Sequence, residues 1–300
     1  MCTLDGADWL ESQLTSLSAQ THADWRLWVS DDGSRDATMA ILDRFAAKNP
    51  GRVERVLSGP RRGAAANYLS LLCHPDLPPG PVALADQDDL WNPDKLARAM
   101  SALCAQRAGG GRGAAYAAGY DVIDACGRRV RRVTSWPAGP SFGNALVQNI
   151  MSGHSLTLDA EALAVIRAVG PVEVPFHDWF IYQLMAGAGC RICIDPAPVL
   201  RYRQHGRNGF GDRGSGRALM RRARLVGNGT YRRWIAANCA ALRTGWAQLT
   251  PEARRTLAIV DRWAHGRGLR RAFALRQGGV ARQQGVETAV LHLAAALGKA

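Results

Sequence analysis

Apolar side chains along the chain switch between two spacings. Trp9, Leu10, Leu14 and Leu17 recur at the interval of one helix face. Trp25-Arg26-Leu27-Trp28-Val29 then reads as a strand ending at Ser30. Ser34 is placed to cap a helix carrying Met39, Ile41, Leu42 and Phe45. Val53 to Leu57 forms a second strand, and Ala64 to Leu72 a helical run. Pro81-Val82-Ala83-Leu84-Ala85 is a third strand, with Pro93 in the first turn of the helix after it. Short strands alternating with amphipathic helices predict an α/β fold. Beyond Gly206 the pattern becomes Arg-rich helices interrupted at Gly227, Gly229, Pro251, Gly266 and Gly285. The division predicted is an α/β domain over 1–210 and a basic helical extension over 211–300.

Charge sharpens that division. The net charge of +13 belongs to the last third: residues 201–300 carry +16, from 20 basic and 4 acidic side chains, while residues 1–200 carry −3. A localised excess of this kind predicts a binding surface. Seven cysteines at irregular spacing do not make a disulfide framework. Cys190 and Cys193 form a lone C-x-x-C without a second ligand pair, so a reducing compartment fits better than zinc. The start Met1-Cys2-Thr3-Leu4-Asp5 lacks the basic and apolar regions of a signal peptide. The apolar run at 288–298 is about half of the roughly 20 residues a bilayer span needs. A cytoplasmic protein is expected, peripheral at the inner face of the plasma membrane.

Two strand ends carry acidic turns: Asp31-Asp32-Gly33-Ser34 and Asp86-Gln87-Asp88-Asp89. Ligands of open α/β sheets sit beyond the carboxyl ends of strands. Three carboxylates in one turn repel one another unless water or a cation screens them, and such oxygen-rich sets suit Mg²⁺ or Mn²⁺ on a diphosphate. A solvated loop capping the next helix is the plainer reading. Asp31 could accept hydrogen bonds from a base, or belong to an ordinary turn. Gly59-Pro60-Arg61-Arg62-Gly63, followed by Asn67, sets two cations near the same edge but matches neither phosphate-binding fingerprint. His177-Asp178-Trp179 opens a helix, where Asp178 serves either as a cap or as a general base flanked by aromatics. His205, after the strand Val199–Arg203, is a metal or diphosphate contact or a packing residue.

Taken in order, these residues resemble family 2 of the glycosyltransferases, in its bacterial rhamnosyltransferase-like branch. The matching positions are Thr3-Leu4-Asp5-Gly6, Ala19-Gln20-Thr21, Asp31-Asp32-Gly33-Ser34, Asn67 and Asp86-Gln87-Asp88-Asp89-Leu90-Trp91. Gly153, His177-Asp178-Trp179 and Arg203-Gln204-His205-Gly206-x-Asn208 continue them. The resemblance implies a GT-A fold, the three-layer sandwich of nucleotide-diphospho-sugar transferases with a mixed, mostly parallel sheet. It implies nucleotide-sugar contacts from Thr3, Asp5, Asp31, Asp32, Arg62, Asn67, Asp86 and Gln87. A Mg²⁺ or Mn²⁺ ion would sit on Asp88 and His205. Asp178 would be the catalytic base, with acceptor contacts from Gly153, His177 and Trp179. The implied reaction is inverting transfer of a sugar, leaning towards L-rhamnose, from a nucleotide-diphosphate donor to a saccharide or lipid-linked acceptor in cell-surface polysaccharide synthesis.

Members of the family usually carry an apolar strand before the Thr3-x-Asp5 position, whereas only Met1 and Cys2 precede it here. A truncated first strand is expected, and a degenerate paralogue that binds sugar or a partner without turnover stays open. A nucleotidyltransferase would need a Gly-rich phosphate loop that is absent. In the tail, Arg217, Arg221, Arg222, Arg224, Arg232 and Arg233 accompany Leu219, Leu225, Trp234 and Ile235. This composition suits an anionic membrane surface more than nucleic acid, for which no motif is present, and Arg-rich helices that are simply solvated are the plainer reading.

Overall fold

The computed structural model describes residues 1–107, 109–205, 224–265 and 268–298. Gly206 and Asn208 of the last motif, the boundary near 210, the break at Gly266, and Arg217, Leu219, Arg221 and Arg222 lie outside the described residues.

Strands β1 (Cys2–Thr3), β2 (Leu27–Asp31) and β3 (Val53–Ser58) form a parallel sheet, with β2 in the middle. The first strand is short but paired: Cys2 lies opposite Ser30 and Thr3 opposite Asp31. The Met1 ammonium donates to the Trp28 carbonyl at 2.7 Å. A second sheet has the order β4-β8-β6-β9-β5, with β7 on the outer part of β6. Its strands are β4 (Val82–Ala83), β5 (Leu90–Trp91), β6 (Ala114–Ile123), β7 (Arg129–Val133), β8 (Thr157–Leu158) and β9 (Arg191–Arg203).

Helices cover both faces, and β6 explains why. Along it Ala115 and Ala117 enter one apolar cluster, while Ala114, Tyr116, Ala118, Tyr120 and Val122 enter the other. Alternate side chains of a strand point to opposite faces, so a strand buried on both faces demands two helical layers. On one side lie α1 (Leu10–Ser18), α2 (Thr38–Lys48) and α4 (Lys95–Arg107). On the other lie α3 (Ala64–Leu72), α5 (Phe142–Ala145), α6 (Ala160–Val169) and α7 (His177–Gly187).

The tail helices α8 (Thr230–Thr244), α9 (Pro251–His265), α10 (Leu269–Gln277) and α11 (Gly285–Ala296) join that second side. Ile235, Leu242, Leu257, Leu275 and Leu291 belong to the same cluster as Leu146, Phe180 and Leu184. The extension therefore shares its core with α5–α7.

Three local expectations are corrected. Ser34 does not cap α2, which starts at Thr38 after Ala37; its hydroxyl turns back to Asp31, and Asp36 takes the Thr38 N–H instead. Pro196 and Pro198 do not break the last strand, which runs unbroken and takes up the prolines as a register shift beside Gly119. The third run keeps only Val82–Ala83 as strand, and a further strand, Leu90–Trp91, follows the acidic turn and pairs antiparallel with β9.

Candidate active site

Both acidic turns end at the same edge. In the first, Asp31 Oδ1 accepts from Thr3 Oγ1 at 2.8 Å and from Ser34 Oγ, and Oδ2 accepts the Gly33 and Ser34 N–H groups. Burial opposes its ionisation, but these four donors outweigh it and hold the carboxyl below its usual range. Asp5 takes the Arg35 N–H at 2.7 Å, knitting the end of β1 to this turn. Asp32 turns the other way and takes the N–H groups of Arg61 (2.6 Å) and Gly63 (2.8 Å), fixing the 59–63 loop. Arg61 has a positive φ of 57°, which those bonds hold in place. Arg62 projects from the loop and pairs with Glu173 on the surface. Asn67 is buried, and exchanges hydrogen bonds with Ser30 that tie α3 to the end of β2.

In the second turn each side chain has a different environment. Asp86 accepts the Tyr68 hydroxyl at 2.6 Å. Gln87 forms a two-way amide pair with Leu4, both bonds 2.9 Å, which extends β1 sideways. Asp88 meets His205 Nε2 at 2.8 Å, the pair being 15% and 13% exposed. Asp89 is fully buried: one oxygen accepts the Arg203 N–H, and Oδ2 has no hydrogen-bond partner among the described residues. The short β5 produces this geometry, because Leu90 opposite Arg201 puts the end of β9, and so His205, over the turn. Trp9 stacks on His205 with ring centroids 5.6 Å apart, and also carries the Arg203 guanidinium.

The cluster is electrostatically strained. Burial, then repulsion from Asp88, pushes the Asp86 carboxyl up despite the Tyr68 bond. Burial and both neighbouring carboxylates push Asp89 far higher. Lys95 lies fully buried nearby with Nζ 3.2 Å from the Trp91 ring centre, and burial drives its pKa well down. A divalent cation is the natural relief for such a set. The ligand atoms of Asp86, Asp89 and His154 lie within 4.8 Å of one another and are on the whole more buried than the Asp88–His205 pair. The donors are carboxylate oxygens and imidazole nitrogens, and the unpartnered Asp89 oxygen adds an unmet demand for a cation. The residues fit the expected Mg²⁺ or Mn²⁺.

Asp178 opens α7 within reach of this turn. One of its oxygens accepts the Gly153 N–H at 3.0 Å and the other the Trp179 N–H. Tyr68 joins the two walls: its hydroxyl reaches Asp86 while its ring stacks on His177 at 4.1 Å. The charges of Asp86, His177 and Asp178 act on one another across this gap, and burial keeps the His177 imidazole below its ordinary pKa. Gly153 is where the loop after Ile150 meets α7, since a Cβ there would lie 2.8 Å from His177 Nε2. Trp179, in contrast, packs into the core with its N–H on the Ala145 carbonyl, and does not face the acidic turn. Sequence reasoning missed Tyr68, His154 and Trp9. Tyr68 and His154 directly follow Asn67 and Gly153, and that adjacency was the available signal.

Comparison with known proteins agrees with this geometry. Residues 1–138 match the glycosyl transferase family 2 model. The dTDP-rhamnosyl transferase RfbG of Shigella flexneri is 27% identical over 249 residues, spanning 81% of this chain and 84% of that protein. TarS of S. aureus in complex with UDP-GlcNAc superposes with a TM-score of 0.54 at 14% identity, over 79% of this chain. The chain spans 64% of that structure's length. The mannosyltransferase PcManGT of Pyrobaculum calidifontis, solved with GDP-Man and Mn²⁺, gives a TM-score of 0.52 at 19% identity over 99% of this chain. The sheet order, the two acidic turns at one edge and these matches agree: residues 1–138 match glycosyl transferase family 2, and the chain has the GT-A fold.

Proposed function

We propose that the chain is an inverting, divalent-cation-assisted glycosyltransferase that transfers a sugar from a nucleoside-diphosphate donor to a saccharide or lipid-linked acceptor. The similarity to RfbG makes L-rhamnose on a deoxythymidine diphosphate the first donor to test. The observation that carries the reading is Tyr68, which joins the acidic turn and the Asp178 helix as two walls of one gap. A degenerate protein under no catalytic constraint has no need of two buried carboxylates held against their own repulsion.

In this reading Thr3, Asp5, Asp31, Asp32, Arg62, Asn67, Asp86 and Gln87 form the donor side. Thr3 and Asp31 shape the base end of the site from below its surface, since Asp31 is held by four internal donors that include the Thr3 hydroxyl. Asp32, Asn67 and Gln87 act by holding the loops that do so, since their polar atoms are bonded within the protein. Asp88 and His205 would hold Mg²⁺ or Mn²⁺, with Asp86, Asp89 and His154 as a further set of donors. When bound, the cation supplies Lewis-acid stabilisation of the charge on the departing diphosphate. Asp178 removes the proton of the acceptor hydroxyl as its oxygen bonds to the anomeric carbon. The bond from that carbon to the phosphate oxygen breaks on the opposite face, so configuration inverts. The Gly153 and Trp179 N–H groups hold the Asp178 carboxylate in line.

The catalytic work falls to residues 1–210, and contact with an anionic membrane to the 211–300 extension. On α11, Val286, Val290, Leu293 and Leu297 are exposed at helical spacing, beside exposed Leu269 and Phe273 on α10. Arg270 and Arg276 are exposed on α10 as well. Among the described residues no helix is long and apolar enough to cross a membrane. An apolar stripe with flanking cations suits one that lies on the surface. The reading is tested by thermal shift with a panel of nucleotide sugars plus Mn²⁺ or Mg²⁺, followed by chromatography for released nucleoside diphosphate. Failure of every donor both to stabilise the protein and to be cleaved would overturn it.

A further inference from the structure

Between β7 and the head of α11 lies a cavity of about 200 Å³. Trp136 forms one side, half-buried with its ring packed on the core. Gln148 and Asn149 form the floor, and Gln283, Gln284 and Glu287 the far side. The walls are rigid where rigidity matters. The Gln283 amide donates to the Gly139 carbonyl and accepts the Ala138 N–H, bracing the loop that carries Trp136. Gln148 Oε1 accepts the Gln283 N–H at 2.8 Å, and Asn149 Oδ1 accepts the Met151 N–H at 3.0 Å. Those bonds leave both amide NH₂ groups, the whole Gln284 side chain and the Trp136 indole N–H without a partner among the described residues.

An aromatic face ringed by amides matches a molecule with apolar CH faces and a polar rim. Charge argues further. Glu287 is paired with Arg282 at 3.1 Å, and among the described residues no unpaired cation lines the cavity. The occupant favoured is neutral. Both walls lead to the catalytic gap. Asn149 stands four residues before Gly153, at most about 14 Å of chain, and Gly153 bonds to Asp178. On the other wall Val133 pairs with Tyr120, whose ring meets His154 edge-on at 4.5 Å.

We infer that this cavity is a distal acceptor subsite, which takes a neutral sugar residue of the acceptor one or two units from the hydroxyl that reacts. The inference rests on the reading of Asp178 as the acceptor-side base. Grip on a remote sugar residue selects acceptors by length and directs binding energy to orientation at the reacting centre.

The test is binding of full-length protein to arrayed bacterial oligosaccharides, neutral and uronic-acid-containing, for the wild type, Trp136→Ala and Gln284→Ala. Gln284 is exposed and its side chain caps no helix, so that variant guards against a folding artefact. The wild type should retain neutral oligosaccharides of two or more units, and both variants should bind them at least tenfold more weakly. Release of nucleoside diphosphate by donor hydrolysis should be unchanged in both. A wild type that binds only uronic-acid-containing chains or none, or variants that bind like the wild type, overturns the subsite while leaving sugar transfer standing. Loss of binding in both variants of a protein that cleaves no donor would sink the catalytic reading and with it the acceptor role, leaving the cavity a sugar-binding site without transfer.

Discussion

Gly153→Ala puts the acceptor side of the site under direct strain. The added methyl would lie 2.8 Å from His177 Nε2 and 3.3 Å from Asp178 Cβ. His177 has little room to yield, because its ring stacks on Tyr68, which is anchored to Asp86 and the Ala85 carbonyl. The φ of Gly153 is not positive, so the cost is steric and falls on the 151–153 loop, which must retreat. Overpacking of this kind costs about 1–3 kcal/mol. The retreat also stretches the 3.0 Å bond from the Gly153 N–H to the Asp178 carboxylate, and a hydrogen bond to a charged group contributes about 1.5–3 kcal/mol. One movement relieves the first at the expense of the second, so the costs overlap. At about 2–4 °C per kcal/mol, the melting temperature should fall by roughly 4–10 °C. A base displaced by about 1 Å loses roughly 10²-fold in rate. Scanning fluorimetry and steady-state kinetics read both quantities, and nucleotide affinity serves as the control, since Thr3 and Asp31 lie on a separate element. Turnover within threefold of wild type, with the melting temperature unmoved, would refute the argument.

With Asp178 as the proposed base, Asp178→Asn should cost about 10²–10⁴-fold in turnover while calorimetry still detects nucleotide. With nucleotide present, Mn²⁺ at a hundred times its dissociation constant should stabilise the wild type by about 2.7 kcal/mol; that increment should vanish in Asp88→Asn, and its survival would remove Asp88 from the metal site. Asp31 has a folded pKa below the ordinary 3.8, so its stabilising ionisation is fully present above that value and is lost as pH falls through the lower folded one. Asp31→Asn should therefore lose less melting temperature than wild type between pH 4 and pH 2, and equal slopes would contradict this. Leu293→Glu together with Leu297→Glu should abolish sedimentation with phosphatidylglycerol vesicles without altering donor hydrolysis, whereas undiminished sedimentation would move the membrane contact elsewhere.

The two acidic turns could be read from the chain because their chemistry is local. Asp31 and Asp86–Asp89 follow strands recognisable by their apolar runs, and a strand end next to an acidic turn is informative in any α/β protein. Long-range pairing was not legible. Leu90-Trp91 is too short to register as a strand, yet its pairing with β9 carries His205 to Asp88 across more than a hundred positions. Ser34 has the chemistry of a helix cap, but Asp31 competes for its hydroxyl and wins through a network of four bonds. Trp179 looked like part of an acceptor wall because it adjoins Asp178. Successive helical residues point about 100° apart, and that rotation sends its indole into the core. The charge asymmetry suggested a separable tail, but charge reports on surfaces, and it was the buried faces of α8–α11 that fixed where they pack.

That packing governs how the molecule can be taken apart. Tyr231 stacks on Trp179, one residue from Asp178, and donates to the Val147 carbonyl. Trp234 packs edge-on to Phe176, the residue just before α7. Arg282 reaches the same Val147 carbonyl, and Thr250 N–H binds the Gly187 carbonyl at the far end of α7. Cutting the chain after residue 210 would thus strip the rear support from α7, the helix bearing Asp178. A truncated protein would be expected to precipitate or to lose turnover even where its nucleotide half folds. Grafting the extension of a relative onto this catalytic half would succeed only if the residues meeting Phe176, Trp179 and Val147 travelled with it, so whatever surface the extension visits is bound mechanically to the chemistry it serves.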